Sequence, residues 1–305
     1  MHFSLPFAIM PIMTKLFVSV IVPVYNGEKH IAECLDSLVA QDYDPKDYEI
    51  LVIDNRSTDR TPEILRRYPV KKLEQRQIQS SYAARNTGIQ AALGTILAFI
   101  DADCKADSAW LKNGIALFAD ATIGAVAGAI QPQAATNPVQ SYLIQRNLLS
   151  QKHTIQHPFL PYAQTANAFY RKVVLDKIGL FESAWISGGD ADLAWRMQLQ
   201  TQYKLAVAED AIVVHQHCST ATGLFRLFMK YGHGAASLQQ KYHLQQPAMK
   251  QNIREIWYFF KYLLKNAAFS YIQVMSDVQK YKARYELIAY LGIKLGKLRF
   301  FLGCS

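Results

Sequence analysis

Leu93-Gly94-Thr95-Ile96-Leu97-Ala98-Phe99-Ile100 runs directly into Asp101-Ala102-Asp103, and this stretch decides the fold. A run so apolar reads as a strand buried on both faces, as in the parallel sheet of an α/β protein. Asp101 and Asp103 then fall just past its carboxyl end, where open α/β sheets place their ligands. Aspartates one residue apart at such a place can share a hard divalent cation that substrate phosphates also hold. That combination points to an enzyme acting on a nucleoside diphosphate. The Asp-x-Asp pattern carries little by itself, because it recurs at Asp42/Asp44 and Asp190/Asp192. Context separates them: Asp42 and Asp44 lie in the polar stretch Gln41-Asp42-Tyr43-Asp44-Pro45, which reads as a solvated turn.

Outward from that strand, the first hundred residues alternate. Leu16 to Val22 and Glu49 to Ile53 read as strands, and Val70 to Leu73 as a short one. Between them Glu28 to Ala40 has helical spacing, with Ile31, Leu35, Leu38 and Val39 on one face. Ser57-Thr58-Asp59 caps a helix through Leu65, with Pro62 in its first turn, and Ser80 to Leu93 is a further helix. This alternation predicts a mostly parallel sheet flanked by helices. Asp107 to Phe118 continues as helix and Gly124 to Ile130 as strand. After Pro132 the pattern loosens: Val139 to Ser150 reads as helix, Thr165 to Tyr170 as strand, Asp190 to Gln200 as helix, and Tyr203 to Val207 and Ala211 to His215 as two strands. From Gly223 onward only helical spacing remains, so a boundary is placed near residue 222: an extension over 1–14, a catalytic domain over 15–221 and a basic helical region over 222–305.

Half of the 305 residues are hydrophobic and 19% are charged, ample for one large domain with an appendage. The formal charge of +9 is uneven. Residues 1–221 hold 20 Lys and Arg against 21 Asp and Glu, and residues 222–305 hold 13 against 3. An asymmetry of this kind points to a surface partner. Cys34, Cys104, Cys218 and Cys304 are scattered, which fits a reducing compartment and disfavours a cysteine-based zinc site. Cys104 reads as an ordinary loop cysteine. The apolar stretch His2 to Met13 is too short to span a bilayer and has no basic residues before it.

Four polar elements stand at or near the ends of successive strands. Val22-Pro23-Val24-Tyr25-Asn26-Gly27-Glu28 lacks both Gly-x-Gly-x-x-Gly and a Walker loop, which disfavours those dinucleotide and phosphate sites. Pro23 and Tyr25 can pack on a base there, and Asn26 and Glu28 can hold polar edges; the plainer reading is a turn opening a helix. Asp54, in Asp54-Asn55-Arg56-Ser57-Thr58-Asp59, can accept from a base or a ribose hydroxyl, or simply shape a helix entry. Arg85, in Arg85-Asn86-x-Gly88, can neutralise phosphate, although an arginine on a helix is commonly solvated. Asp101 and Asp103 complete the set.

In this order the motifs resemble those of a family 2 glycosyltransferase of the GT-A fold. The resemblance spans roughly residues 16–235. It extends to Ser187-Gly188-Gly189-Asp190-Ala191-Asp192-Leu193-Ala194-Trp195-Arg196, similar to the family's Glu-Asp-x-Asp-Leu-x-x-Arg segment, and to Val213-Val214-His215-Gln216-His217. It implies an inverting transfer of a sugar from a nucleoside-diphosphate sugar to a glycan or lipid-linked acceptor hydroxyl, in the building of cell-envelope polysaccharide. It further implies Asp190 as general base and Mg2+ or Mn2+ at Asp103; His215 and His217, two apart at a strand end, can both reach that metal if the strand continues, or a turn after His215 parts them and at least one is structural. Asp101 then takes the ribose or supports the metal. Gly189 departs from the pattern, since the family usually has glutamate before the base.

Two other classes remain open at this point: a sugar-1-phosphate nucleotidyltransferase, which wants a basic glycine-rich loop after strand one, and a non-catalytic assembly subunit. Nucleic-acid binding is disfavoured, because the basic tail carries its aromatics at helical core spacing. In Ile253 to Met275, Ile256, Trp257, Phe260, Leu264, Ala267 and Tyr271 form an apolar stripe that Lys261 and Lys265 interrupt. Leu287 to Phe301 repeats this with Lys294, Lys297 and Arg299. Such helices suit the anionic inner face of a cell membrane, reached from the cytoplasm without crossing, or packing on the catalytic domain or on a second copy of the chain.

Overall fold

A computed structural model describes residues 16–244, 257, 261 and 277–303. The extension 1–14 and, apart from Trp257 and Lys261, the stripe of Ile253 to Met275 lie outside the described residues.

Strands β1 (Val18–Val24), β2 (Tyr48–Asp54), β3 (Lys71–Glu74) and β4 (Ile96–Ile100) pair in parallel in the order β3-β2-β1-β4. Successive residues of a strand face opposite sides, so these apolar runs feed two cores. Val18, Val20, Val22 and Val24 pack with α1 (Ile31–Val39) and α4 (Trp110–Ala116) on one face. Ile21, Leu51, Ile53, Leu97 and Phe99 pack on the other, with α3 (Ser81–Ala91), α7 (Lys172–Ile178) and α8 (Gly189–Gln200). The short α2 (Thr61–Leu65) adds Leu65 to the first core.

Beyond β4 the sheet becomes mixed. β7 (Asn167–Arg171) runs antiparallel to β4 and to β6 (Ile123–Pro132), β8 (Lys204–His215) is parallel to β6, and β5 (Cys104–Ala106) forms the edge antiparallel to β8. Four of the seven pairings are parallel, and they include every strand of the alternating first hundred residues. Direction for the strand at 165–170 has no local signal, because the helix-strand alternation has stopped by then.

Several boundaries differ from the sequence expectation. The two strands expected at 203–207 and 211–215 are one, β8, whose register against β6 shifts between Gly128 and Ala129. The polar pair Glu209-Asp210 sits at that irregularity, which is why the sequence reads as a break. The helix expected over 139–150 ends early. α5 (Pro138–Gln145), whose N-cap Asn137 accepts from the backbone of Val139 and Gln140, is followed by Asn147 and Leu149 at φ of 49° and 63°. α6 (Gln151–Ile155) then begins separately. Cys104 is corrected from loop to strand: it is buried in β5, opposite His215.

The long helices α9 (Ala221–Lys241) and α10 (Asp277–Phe301) form a third apolar cluster with α5, through Val139, Leu143, Leu224, Phe228, Tyr285 and Ala289. An Arg146–Glu286 ion pair of 2.6 Å reinforces it. Among the described residues no helix is long and apolar enough to cross a membrane.

Candidate active site

The loops after β1 and β2 are stitched together before they can meet any ligand. Asn26 holds φ at 50°, and its Oδ1 accepts from the Thr58 amide at 2.8 Å. The Gly27 amide donates to Thr61 Oγ1 at 2.8 Å. The Glu28 amide donates to Asp59 Oδ2 at 3.0 Å, and the Arg60 amide donates to Glu28 Oε2 at 3.2 Å. Asp54 Oδ1 accepts from the Ser57 amide at 3.0 Å. Asn26 Oδ1 and one carboxylate oxygen each of Glu28 and Asp54 are thus engaged in loop structure. Pro23 and Tyr25 instead line a cavity of about 640 Å³ with Asn55, Ser80 and Trp185. Tyr25 exposes 51% of its surface, as a ring free to stack on a planar ligand does.

At the end of β4 two aspartates receive different partners. Arg85, buried on α3, forms an ion pair with Asp101. Burial pushes the Asp101 carboxyl above its ordinary range; Arg85 opposes that rise, and the Asp103 charge adds to it. Asp103 lies beside His215 because β5 pairs with the end of β8, and the Gln216 amide donates to the Asp103 carbonyl at 3.0 Å. His215 Nε2 is 3.5 Å from Asp103 Oδ2. Burial works to raise the Asp103 carboxyl, but the His215 charge and hydrogen bond outweigh it and hold the group low. For His215 the balance is reciprocal: burial disfavours its charged form, Asp103 favours it more, and the imidazole rises. His217 follows the end of β8, yet its ring centroid is 5.0 Å from that of His215. Burial and the neighbouring His215 push it down to about 4, so it is neutral near pH 7.

Asp103 and His215 fit a divalent cation, while His217 stands outside that cluster of donors. Oxygen or nitrogen donors of Asp103 and His215, with the Cys104 sulfur, lie within 4.8 Å of one another. His215 Nδ1 and His217 Nε2 are buried with no hydrogen-bond partner, and a buried imidazole nitrogen without a partner is a ligand-ready lone pair or an uncompensated cost.

Asp190 enters from the opposite element. Gly188 takes φ of 86° as the residue capping α8, a conformation that favours glycine, and it turns Asp190 inward. Tyr82 on α3 donates its hydroxyl to Asp190 Oδ1 at 2.7 Å, and the Thr165 amide donates to Oδ2 at 3.3 Å. A second cavity of about 460 Å³ opens on Asp190, lined also by Arg146, His157, Tyr162, Trp195 and Tyr231. The loop before α8 borders both spaces, with Trp185 and Ile186 on the first and Ser187 and Gly188 on the second.

Sequence reasoning missed Tyr82, Thr165 and Cys104. Tyr82 had one readable signal: it stands three residues before Arg85, on the same helix face. Thr165 acts through its backbone, which no residue identity advertises.

The profile described as Glycosyl transferase family 2 matches residues 19–179. Glycosyltransferase AglE of Haloferax volcanii is 37% identical over 210 residues, covering 66% of this chain and 67% of that protein. Other relatives match over shorter stretches: the Poly(ribitol-phosphate) beta-glucosyltransferase of Bacillus spizizenii is 43% identical over 93 residues, 28% of this chain and 14% of its own length. Among solved structures, the mannosyltransferase PcManGT from Pyrobaculum calidifontis in complex with GDP-Man and Mn2+ superposes with a TM-score of 0.62 at 20% identity, covering 96% of this chain and 89% of that one. S. aureus TarS 1-349 in complex with UDP-GlcNAc gives 0.54 at 17% identity, covering 95% and 93%.

Proposed function

We propose that this chain, which belongs to glycosyl transferase family 2 and is a glycosyltransferase, transfers a sugar from a nucleoside-diphosphate donor with inversion, using Asp190 as base and Asp103 as the anchor of a divalent cation. The observation that carries this reading is a group of differently furnished carboxylates close enough to act on one another: the charges of Asp103 and of Asp190 both bear on the buried Asp101. Asp103, just past β4, stands beside the buried His215 at the end of β8, and Asp190 on α8 has its two oxygens bonded by Tyr82 and the Thr165 amide.

The cavity beside Tyr25 takes the base and ribose, and Arg85 keeps the anionic end of Asp101 compensated beneath the diphosphate. Asp103 and His215, with His217 beside them, would hold Mg2+ or Mn2+, which when bound supplies a Lewis acid for the charge on the departing diphosphate. The acceptor hydroxyl lies in the cavity that opens on Asp190, whose carboxylate accepts the proton as the oxygen attacks; such a base contributes about 10²–10⁴-fold. A base on one side of the anomeric carbon and the leaving group on the other give inversion in a single displacement.

The acceptor is a glycan or a lipid-linked saccharide of the cell envelope. The protein then works peripherally on the inner membrane face: on α10, Leu291, Leu295, Leu298 and Phe301 are exposed at helical spacing. A thermal-shift panel of nucleoside diphosphates with and without Mn2+ tests the class and reads the base. Stabilisation by one base in a Mn2+-dependent manner is expected; no stabilisation by any member contradicts a diphosphate donor.

A further inference from the structure

Glycine occupies position 189, where the glycosyltransferase pattern has glutamate. A Cβ there would stand 2.7 Å from Tyr82 Cζ and 2.8 Å from Cε1, nearer than side-chain atoms approach. The space next to Asp190 is therefore filled by the phenol. Tyr82 is 5% exposed and stacks on Phe181 with ring centroids 5.3 Å apart. Its oxygen is bound on two sides, accepting from the Gly189 amide at 2.9 Å and donating to Asp190 Oδ1 at 2.7 Å. Burial, then the Asp190 charge, push the phenol well above its ordinary value, which keeps it a protonated donor.

We propose that Tyr82 is the positioning residue of the base, holding the Asp190 carboxylate toward the acceptor in place of the absent glutamate. This inference rests on the reading of Asp190 as base. The ring cannot tilt, because Phe181 backs it and the Gly189 amide fixes its oxygen. The hydroxyl therefore points one lone pair of the carboxylate at α3 and leaves the other oxygen to the Thr165 amide and the cavity. Tyr82 and Arg85 stand one turn apart on α3, and Arg85 holds Asp101. One helix face thus fixes the carboxylate that serves the donor and the one that serves the acceptor. Glycine at 189 is what lets the helix approach so closely.

The test is Tyr82→Phe, which keeps the ring and removes the hydroxyl, alone and combined with Asp190→Asn. UDP-GlcNAc and GDP-mannose with Mn2+ serve as probes, with released UDP or GDP counted, and the variant is crystallised. Loss of a hydrogen bond to a charged group predicts a fall in kcat of about tenfold to a hundredfold with the KM for the sugar nucleotide unchanged, and a lower melting temperature, because the Gly189 amide loses its acceptor as well. No further fall is expected when the change is added to Asp190→Asn, and the Asp190 carboxylate turns away from its wild-type orientation. Gly189→Ala, which crowds Tyr82 without removing a polar group, lowers kcat in the same way. The proposal is overturned if Asp190 keeps its orientation in Tyr82→Phe crystals, or if Tyr82→Phe costs as much in the Asp190→Asn background as in the wild type. If neither sugar nucleotide is turned over, the crystal orientation decides. An Asp190→Asn protein with wild-type turnover overturns the base reading itself, whatever Tyr82→Phe does.

Discussion

Lys241 of α9 reaches Asp192 of α8, with its Nζ 2.6 Å from Oδ1. Asp192 is fully buried and takes two further bonds, from Tyr242 Oη at 2.7 Å and Arg196 Nε at 2.9 Å. Arg196 in turn donates to the carbonyls of Gly179 and Leu180. Asp192 and Asp190 are two residues apart, yet one is saturated by structural donors and the other faces a cavity. The first therefore holds the fold, and the second presents its carboxylate to the cavity while Tyr82 and the Thr165 amide hold it.

Asp192→Ala should accordingly lose stability, not specificity. Removing one partner of a buried charge cluster costs about 3–5 kcal/mol, read as a lower midpoint in denaturant unfolding. Nucleotide affinity of the protein that remains folded should match the wild type. A stable Asp192→Ala protein with normal unfolding and dead turnover would reverse the two roles.

Asp103→Asn should separate nucleotide binding from metal. Calorimetric titration of UDP and GDP should show Mn2+ strengthening binding to the wild type and leaving the variant indifferent. His215 and His217 alone cannot supply the charge, because an imidazole ligand is neutral. Metal-dependent affinity that survives in Asp103→Asn would remove Asp103 from the metal site.

The stitching of the β1 and β2 loops gives a pH dependence of stability. Burial opposes ionisation of Asp59, but hydrogen bonds from Thr61 and from the Glu28 and Thr61 amides prevail, and its carboxyl lies below its ordinary 3.8. A group depressed in the folded state stabilises above its unfolded value and loses that contribution as pH falls through the folded one. Stability should therefore drop below about pH 4, and less so in Asp59→Asn, which has already lost the charge. Melting curves from pH 6 to about pH 2.5 check this, and identical acid losses in the two proteins would contradict it.

How much of this was legible in the sequence follows from the range of the interactions. Strands such as Ile96 to Ile100, and the helices between, announce themselves because hydrophobic periodicity is local. Asp101, Asp103 and Arg85 could be singled out because strand ends are where α/β sheets bind ligands. The closeness of His215 to Asp103 depends on the antiparallel pairing of β5 with β8, a contact spanning over a hundred residues that no spacing records. Asn26 and Glu28 suit either ligand contact or a turn by residue type, and only the fold shows Asn26 Oδ1 and Glu28 Oε2 bonded to the Thr58 and Arg60 amides. Gly189 was visible as a departure, but its cause, the Tyr82 ring, comes from another element.

The exposed face of α10 predicts reversible membrane residence. Basic side chains near an anionic leaflet contribute roughly 1 kcal/mol each, and Leu291, Leu295, Leu298 and Phe301 supply apolar surface. The full chain should float with vesicles containing anionic lipid and less with neutral ones, and a Leu291→Glu/Leu295→Glu/Leu298→Glu protein should remain in the soluble fraction. Equal flotation of both proteins, or of neither, would refute this surface as the anchor.

The most direct measurement compares Asp190→Asn with the wild type in two quantities at once: affinity for the nucleoside diphosphate with Mn2+, and turnover of the sugar nucleotide. A base acts in the transition state, so kcat should fall by about 10²–10⁴-fold while affinity stays within about twofold. Wild-type turnover in Asp190→Asn, or a loss confined to nucleotide affinity, would contradict the account.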